Sequence, residues 1–145
     1  MSEQLYHRIS LPAIQNAIDI VPPKTYVGFS TINDSADHFS LYDFELIKQD
    51  ITNHFHIRQG ERLMQPTFGT IIWDILFEPM TDQVKSIILQ DVNRIINYDP
   101  RVSIENTSIG TYESGIQIEF SLKYKPYNII EQISLRFDQA NGLIA

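Results

Sequence analysis

The stretch Ile116-Gln117-Ile118-Glu119-Phe120-Ser121-Leu122-Lys123-Tyr124 alternates apolar and polar side chains at every step. A period of two places alternate residues on opposite faces of an extended chain, so this is a strand with one face buried and one in water. Ile129, Glu131, Ile133, Leu135 and Phe137 repeat the alternation after the turn Lys125-Pro126-Tyr127-Asn128, with one acidic interruption. Upstream, Val102 and Ile104 change phase to reach Ile109, which predicts a bulge near Glu105 and Asn106 before the turn Glu113-Ser114-Gly115. Three strands joined by short turns predict an antiparallel three-stranded meander, and its single apolar face must be covered by helices.

Those helices are read by working back along the chain. From Thr81, a suitable N-cap, to Tyr98, the residues Val84, Ile87, Ile88, Val92, Ile95 and Ile96 form one stripe at helical spacing, and Pro100 stops the helix. Asp91 falls inside that stripe. A buried carboxylate without a partner is costly, so it must meet Arg94, Arg62 or a donor from outside the chain. Ile71 to Phe77 is dense in large apolar residues and reads as two short buried turns of helix. Phe44, Ile47, Ile51 and Phe55 mark a helix starting near Leu41, with Ser40 or Asp43 as its N-cap and Gly60 at its end.

Residues 1–40 carry Pro12, Pro22, Pro23, Gly28 and the turn-forming run Asn33 to Asp37, with no sustained period, and read as an extended arm. The expected fold is therefore α+β: an N-terminal arm (1–40), then a domain (41–145) in which about three helices pack on one face of a C-terminal three-stranded meander.

Composition narrows the function. The chain has 145 residues and a formal charge of −7 from 11 basic and 18 acidic side chains. Such a balance offers no basic stripe for a phosphate backbone, so nucleic acid is not an expected partner. There is no cysteine, which excludes thiol catalysis and thiolate metal sites. No run approaches the roughly 18 apolar residues of a membrane span, and the first residues lack the order of a signal peptide. No membrane contact is expected, and the protein is expected to be made in the cytoplasm.

Candidate chemistry is sparse. Asp74 and Glu78 stand four residues apart and could present two carboxylates to a sugar, as glycoside hydrolysis requires, although such pairs are common on solvated helix faces. His54 and His56 would share a face on a strand but diverge by about 200° on a helix, which argues against a metal pair. No nucleophile, dinucleotide or phosphate-loop pattern is present, and no metal or cofactor is expected.

More specific are three polar clusters at element ends: Arg58-Gln59-Gly60-Glu61-Arg62, Met64-Gln65-Pro66-Thr67-Phe68-Gly69 and Tyr98-Asp99-Pro100-Arg101. Each has a plain structural reading: Gly60 as a helix terminus, Pro66 and Gly69 as turn punctuation, and Asp99 with Arg101 as a local ion pair. In order, however, they sit in a distinctive frame. A helix, Gly60-Glu61-Arg62, Pro66-Thr67-Phe68-Gly69, a short apolar segment with Leu76-Phe77-Glu78, a long helix ending in Asp99-Pro100-Arg101 and a terminal antiparallel sheet together resemble the baseplate wedge proteins of contractile-tailed phages. That family is sometimes labelled lysozyme-like and is similar to the small baseplate component of type VI secretion systems. The resemblance covers about residues 41 to 138. The family's triplet is commonly Glu-Pro-Arg, and Asp99 reaches about one methylene less far.

The resemblance implies a structural component of the virion tail baseplate, assembled in the host cytoplasm, one copy per wedge. It would dock on a helical bundle of larger wedge proteins and offer its sheet to the tail sheath protein. Gly60, Glu61, Arg62, Pro66, Phe68, Gly69, Asp99, Pro100 and Arg101 would form the docking set. The last strand, with no proline and few charges, would give a sheath-contacting edge at Ile133, Ser134, Leu135 and Arg136. The lysozyme label implies the alternative, a peptidoglycan hydrolase, and a regulatory binding module on the same fold is a third reading. Arginine, aromatics, Gly and Pro are the composition of an interface hot spot, so assembly without enzymatic activity is the expected function.

Overall fold

A computed structural model describes residues 26–30 and 40–145. The element order is β1 (Val27–Phe29), β2 (Ser40–Tyr42), α1 (Asp43–His56), α2 (Ile72–Ile75), α3 (Asp82–Asn97), β3 (Val102–Tyr112), β4 (Gly115–Tyr124), β5 (Ile129–Asp138) and β6 (Gly142–Ile144). Strands β3 to β6 form one antiparallel sheet in sequence order, and β1 pairs with β2 in a separate two-stranded sheet.

The alternation in β4 is obeyed at each step: Ile116, Ile118, Phe120, Leu122 and Tyr124 are at most 2% exposed. They meet α1 through Phe44, Ile47, Ile51 and Phe55, and α3 through Ile88, Val92, Ile95 and Ile96, in one apolar core. Burying each such side chain contributes about 1.5–3 kcal/mol. The expected bulge is present, since the β3–β4 register shifts between Glu105 and Thr107, with Asn106 at a φ of 47°. The acidic interruption in β5 has a cause: Lys48 on α1 donates to both oxygens of Glu131, at 3.1 and 3.0 Å.

The structure corrects the expected architecture in several places. The C-terminal sheet has four strands, not three. Three residues are too few to show a period, so Gly142 to Ile144 read as a tail. The Asp138 carboxylate accepts from the amides of Ala140 at 2.8 Å and Asn141 at 3.0 Å, and Gly142 takes a φ of 79°. Chain reversal then sets Leu143 opposite Phe137. The expected arm is also revised where it is described: Val27–Phe29 pairs with Ser40–Tyr42. Residues 1–25 and 31–39, including the Asn33 to Asp37 run, lie outside the described residues.

Helix boundaries shift too. Ser40 and Leu41 are in β2, so α1 begins at Asp43, whose carboxylate accepts from the Tyr26 amide at 2.9 Å instead of capping its own helix. At the other end α1 stops at His56, because Ile57 turns extended and its carbonyl accepts from the Thr70 amide at 2.8 Å. Gly60 therefore belongs to the following loop. Helix α2 is a single turn, and Phe77 beyond it is 73% exposed. Helix α3 starts where expected, with the Thr81 hydroxyl accepting from Val84 N at 3.3 Å, but Ile87 lies outside the buried stripe.

Candidate functional site

The loop 57–70 between α1 and α2 carries two of the three clusters, and its backbone is closed at several points. Gln59 N donates to Thr70 O, Gly60 N to Pro66 O and Phe68 N to Gln65 O, each at 3.0 Å. Glu61 accepts from Arg58 N at 3.1 Å through its side chain. Gly69, at a φ of 102°, runs against the end of α1: a Cβ there would stand 2.6 Å from Ile57 O and 2.8 Å from Arg58 C. Only glycine fits that approach.

A polar clamp fixes the loop to α3. Asp91, 5% exposed, accepts from the Thr70 hydroxyl at 2.6 Å and from Ile71 N at 3.1 Å on one oxygen. Its other oxygen takes Arg94 Nε at 3.1 Å and Nη2 at 2.6 Å. Arg94 in turn donates to the carbonyls of Thr67 at 2.9 Å and Gly69 at 2.6 Å. The carboxylate inside the apolar stripe thus meets Arg94, one of its expected partners, and the pair is spent on loop backbone. Arg62, another candidate partner for Asp91, goes elsewhere.

Above the clamp lies a layered stack. The Phe68 ring lies 3.7 Å from the His54 ring at 17°, and the Arg62 guanidinium carbon lies 3.9 Å from the Phe68 centroid. Two groups that close must occupy opposite faces, so Phe68 is sandwiched. Tyr98 meets His54 and Phe68 edge-on at 5.9 and 6.2 Å. His54 is buried with Nε2 lacking a hydrogen-bond partner, and burial, with repulsion from Arg94 and Arg62, pulls its pKa down to about 4.

The third cluster completes the wall. Arg101 donates Nε to both Asp99 oxygens, at 2.9 and 3.1 Å, and Nη2 to Oδ2 at 2.6 Å. This is the local ion pair that the spacing allowed. Burial alone would raise the Asp99 carboxyl, but the hydrogen bonds from Arg101 outweigh it and hold it below the usual range. The Arg101 guanidinium also lies 4.5 Å from the Tyr26 ring.

Arg62, Phe68, Asp99, Pro100 and Arg101, drawn from all three clusters, line one open cleft of about 650 Å³ with Tyr26, Asp50, His54 and Tyr98. Gly60, Glu61, Pro66 and Gly69 shape the loop that carries it. On the loop tip, Leu63 and Met64 are each 94% exposed. Sequence reasoning did not assign His54, Asp91, Arg94 or Tyr98 to the site. Two signals were available: His54 falls at the i+3 position from Ile51 on the apolar stripe of α1, and Asp91 interrupts the stripe of α3.

The other candidates lie apart. Asp74 is ion-paired with Arg58, and both it and Glu78 are exposed, a setting that gives neither carboxyl the apolar pocket a general acid needs. His56 donates from Nδ1 to the Thr52 carbonyl, 2.9 Å away, while His54 faces Phe68, so the two diverge as the helix dictates. Among the described residues no group of three or more His, Asp or Glu side chains is placed to hold a metal. On β5, Leu135 is buried, Ile133 half-buried and Ser134 exposed, and Arg136 pairs with Ile144 of β6.

Comparison with known proteins gives the chain's family. The model of the family described as baseplate wedge protein gp25 matches residues 43–127, a span containing all three clusters. The chain is 29% identical over 100 residues to baseplate wedge protein gp25 of Enterobacteria phage T4, covering 66% of this chain and 75% of that protein. A crystal structure from Geobacter sulfurreducens, described as a "putative tail lysozyme", shares the fold at a TM-score of 0.57 and 20% identity, over 75% of this chain and 96% of that one. A chain of the anti-feeding prophage baseplate, seen by cryo-EM, shares it at 0.53 and 22%, over 66% and 78%. With more than half of its length inside the family model, the chain belongs to the baseplate wedge protein gp25 family.

Proposed function

We propose that this structural wedge protein docks in the tail baseplate on larger wedge proteins through the cleft, and that the stretch of the β5 edge uncovered among the described residues receives an extended segment of the tail sheath protein. The observation that carries the docking reading is the convergence of residues 62, 68 and 99–101 on one cleft walled by arginine and aromatic side chains. Planar guanidinium and aromatic groups held rigid before binding lose little entropy on docking, which is how a few residues come to dominate an interface. Arg62 is pre-positioned by Phe68, and Arg101 by Asp99 and Tyr26.

The edge reading rests on backbone geometry. Gln139 N donates to Ser114 O across the Gly115–Asp138 pair, so that pair is of the type without mutual hydrogen bonds. Alternation then turns the Ser134 amide away from β4, toward the open edge. Strand β6 covers only Arg136 to Asp138, leaving Ile129 to Leu135 uncovered by it. Ile133 and Leu135 would set register from the inner face, and Ser134 would supply the donor.

Hydrolysis has no support in the setting of Asp74 and Glu78, and no enzymatic activity is expected. The test of the docking reading is co-purification with the larger wedge proteins of the same tail. Arg62→Ala, at an exposed position, is expected to lower recovery at least tenfold while leaving the unfolding midpoint nearly unchanged, as hot-spot truncations do. Recovery at the parent level would remove the cleft from the interface. Ser134→Pro, which takes away an edge donor and no backbone bond to β4, only the 3.4 Å side-chain contact from Gln117 Nε2, should leave docking intact and reduce sheath nucleation.

A further inference from the structure

We propose that Asn141 is a site of spontaneous deamidation whose product unlatches β6 from the edge of β5. The chain has eight asparagines, and Asn141 alone is followed by glycine. The reaction needs the following backbone nitrogen to reach the asparagine Cγ, an approach that a side chain on the next residue obstructs and glycine leaves open. The Gly142 nitrogen attacks Cγ, a C–N bond forms and ammonia leaves with the former side-chain nitrogen, giving a five-membered succinimide. Water then opens either carbonyl of the ring. The products are aspartate or isoaspartate, and the balance is one water consumed for one ammonia released.

Place in the fold supplies both access and consequence. Asn141 is exposed, and β6 is held to β5 by three residue pairs only: Arg136 with Ile144, Phe137 with Leu143, and Asp138 with Gly142. A strand paired with one neighbour over so few residues opens locally well below the free energy of global unfolding, and each opening frees the turn to react.

The consequence runs through Asp138. Its carboxylate is the knot of this corner, accepting from Ser114 Oγ at 2.7 Å, Tyr112 OH at 3.3 Å, Ala140 N at 2.8 Å, Asn141 N at 3.0 Å and Asn141 Nδ2 at 3.4 Å. Deamidation replaces the last of these donors with an anion facing a carboxylate. The isoaspartyl product also inserts a methylene into the backbone just before Gly142, whose φ of 79° makes the reversal. Either change weakens the turn that returns β6, and loss of β6 lengthens the part of the β5 edge that no described strand covers, from Leu135 to Asp138.

The test uses the full chain. Protein is held at mildly alkaline pH and physiological temperature, digested with trypsin, and the peptide Phe137 to Ala145, released by cleavage after Arg136, is followed by mass and by isoaspartate chemistry. Conversion at Asn141 is expected to run at least several-fold faster than at Asn53, Asn93, Asn97, Asn106 or Asn128, and Asn141→Gln, which keeps the amide but cannot form the five-membered ring readily, should stay unmodified. In parallel, Asn141→Asp supplies the product directly, and the amides of Arg136, Asp138, Gly142 and Ile144, which alternation turns across the β5–β6 pair, should exchange on the order of tenfold faster than in the parent, with Phe137, which faces β4, and strands β3 and β4 unchanged. Conversion at Asn141 no faster than elsewhere would overturn the site, and unchanged exchange in Asn141→Asp would overturn the unlatching.

Discussion

Ile118 in the sheet and Asp91 beneath the loop are both almost wholly buried, at 0% and 5% exposure, yet they hold their regions in opposite ways. Ile118 is one of a row of interchangeable apolar contacts, fixed by a period that any half-buried strand shares. Asp91 is a single group joined by hydrogen bonds to residues 20 and 21 positions away, and through Arg94 to carbonyls 25 and 27 positions away. The sheet is stabilised by area and tolerates exchange of like for like, whereas the loop is stabilised by satisfied polar atoms, where one missing partner strands several others. The lesson is that the candidate interface rests on the less forgiving of the two regions.

Truncation in the sheet should give the larger global effect. Phe120→Ala, deep between Phe55 and the neighbouring strands, should cost about 3–5 kcal/mol in urea unfolding, with the whole transition shifted. Asp91→Ala should cost somewhat less, about 3 kcal/mol, because Thr70, Ile71 N and Arg94 lose their acceptor together. Its signature differs: amide exchange should rise first across residues 58–71 while β4 stays protected. Equal and simultaneous loss of protection in both regions would dissolve the contrast between them.

A smaller effect sharpens it further. His54 has a folded pKa lowered from 6.5 to about 4 by burial, with Arg94 and Arg62 adding to the shift and Asp91 opposing it. Between those values the unfolded chain binds a proton that the folded chain refuses. Stability should therefore fall as pH drops from about 6.5 toward 4, by up to about 3 kcal/mol from this residue. His54→Phe keeps a ring against Phe68 and removes the titration, so its unfolding midpoint should lose that part of the pH dependence. Identical pH profiles for the two proteins would show that His54 is not held neutral by its surroundings.

The difference between the regions also explains what was legible in the sequence. Strands β3 to β5, the bulge at Asn106 and the span of α3 were readable because period, turn residues and caps act over a few positions. Strand β6 was not, since three residues carry no period and the turn that returns them depends on an Asp138 carboxylate whose role appears only in three dimensions. The limits of α1 were misread for a related reason. Ile57 leaves the helix to bond with Thr70, a partner thirteen residues on, and no local signal announces it. For the site, the three clusters were found as motifs, but their convergence, and the parts of His54, Tyr98 and Arg94 in it, follow from α1 and α3 lying side by side under the same loop.

The central claim is that the cleft made by the clamped loop and the end of α3 is the docking face. Hydrogen exchange of the chain bound to the larger wedge proteins, compared with the free chain, tests this most directly. The account predicts new protection concentrated in residues 60–69 and 98–101, with the outer face of β3 and β4 unchanged. A stable complex whose protection falls on the sheet and leaves both of those segments as they were in the free chain would contradict it.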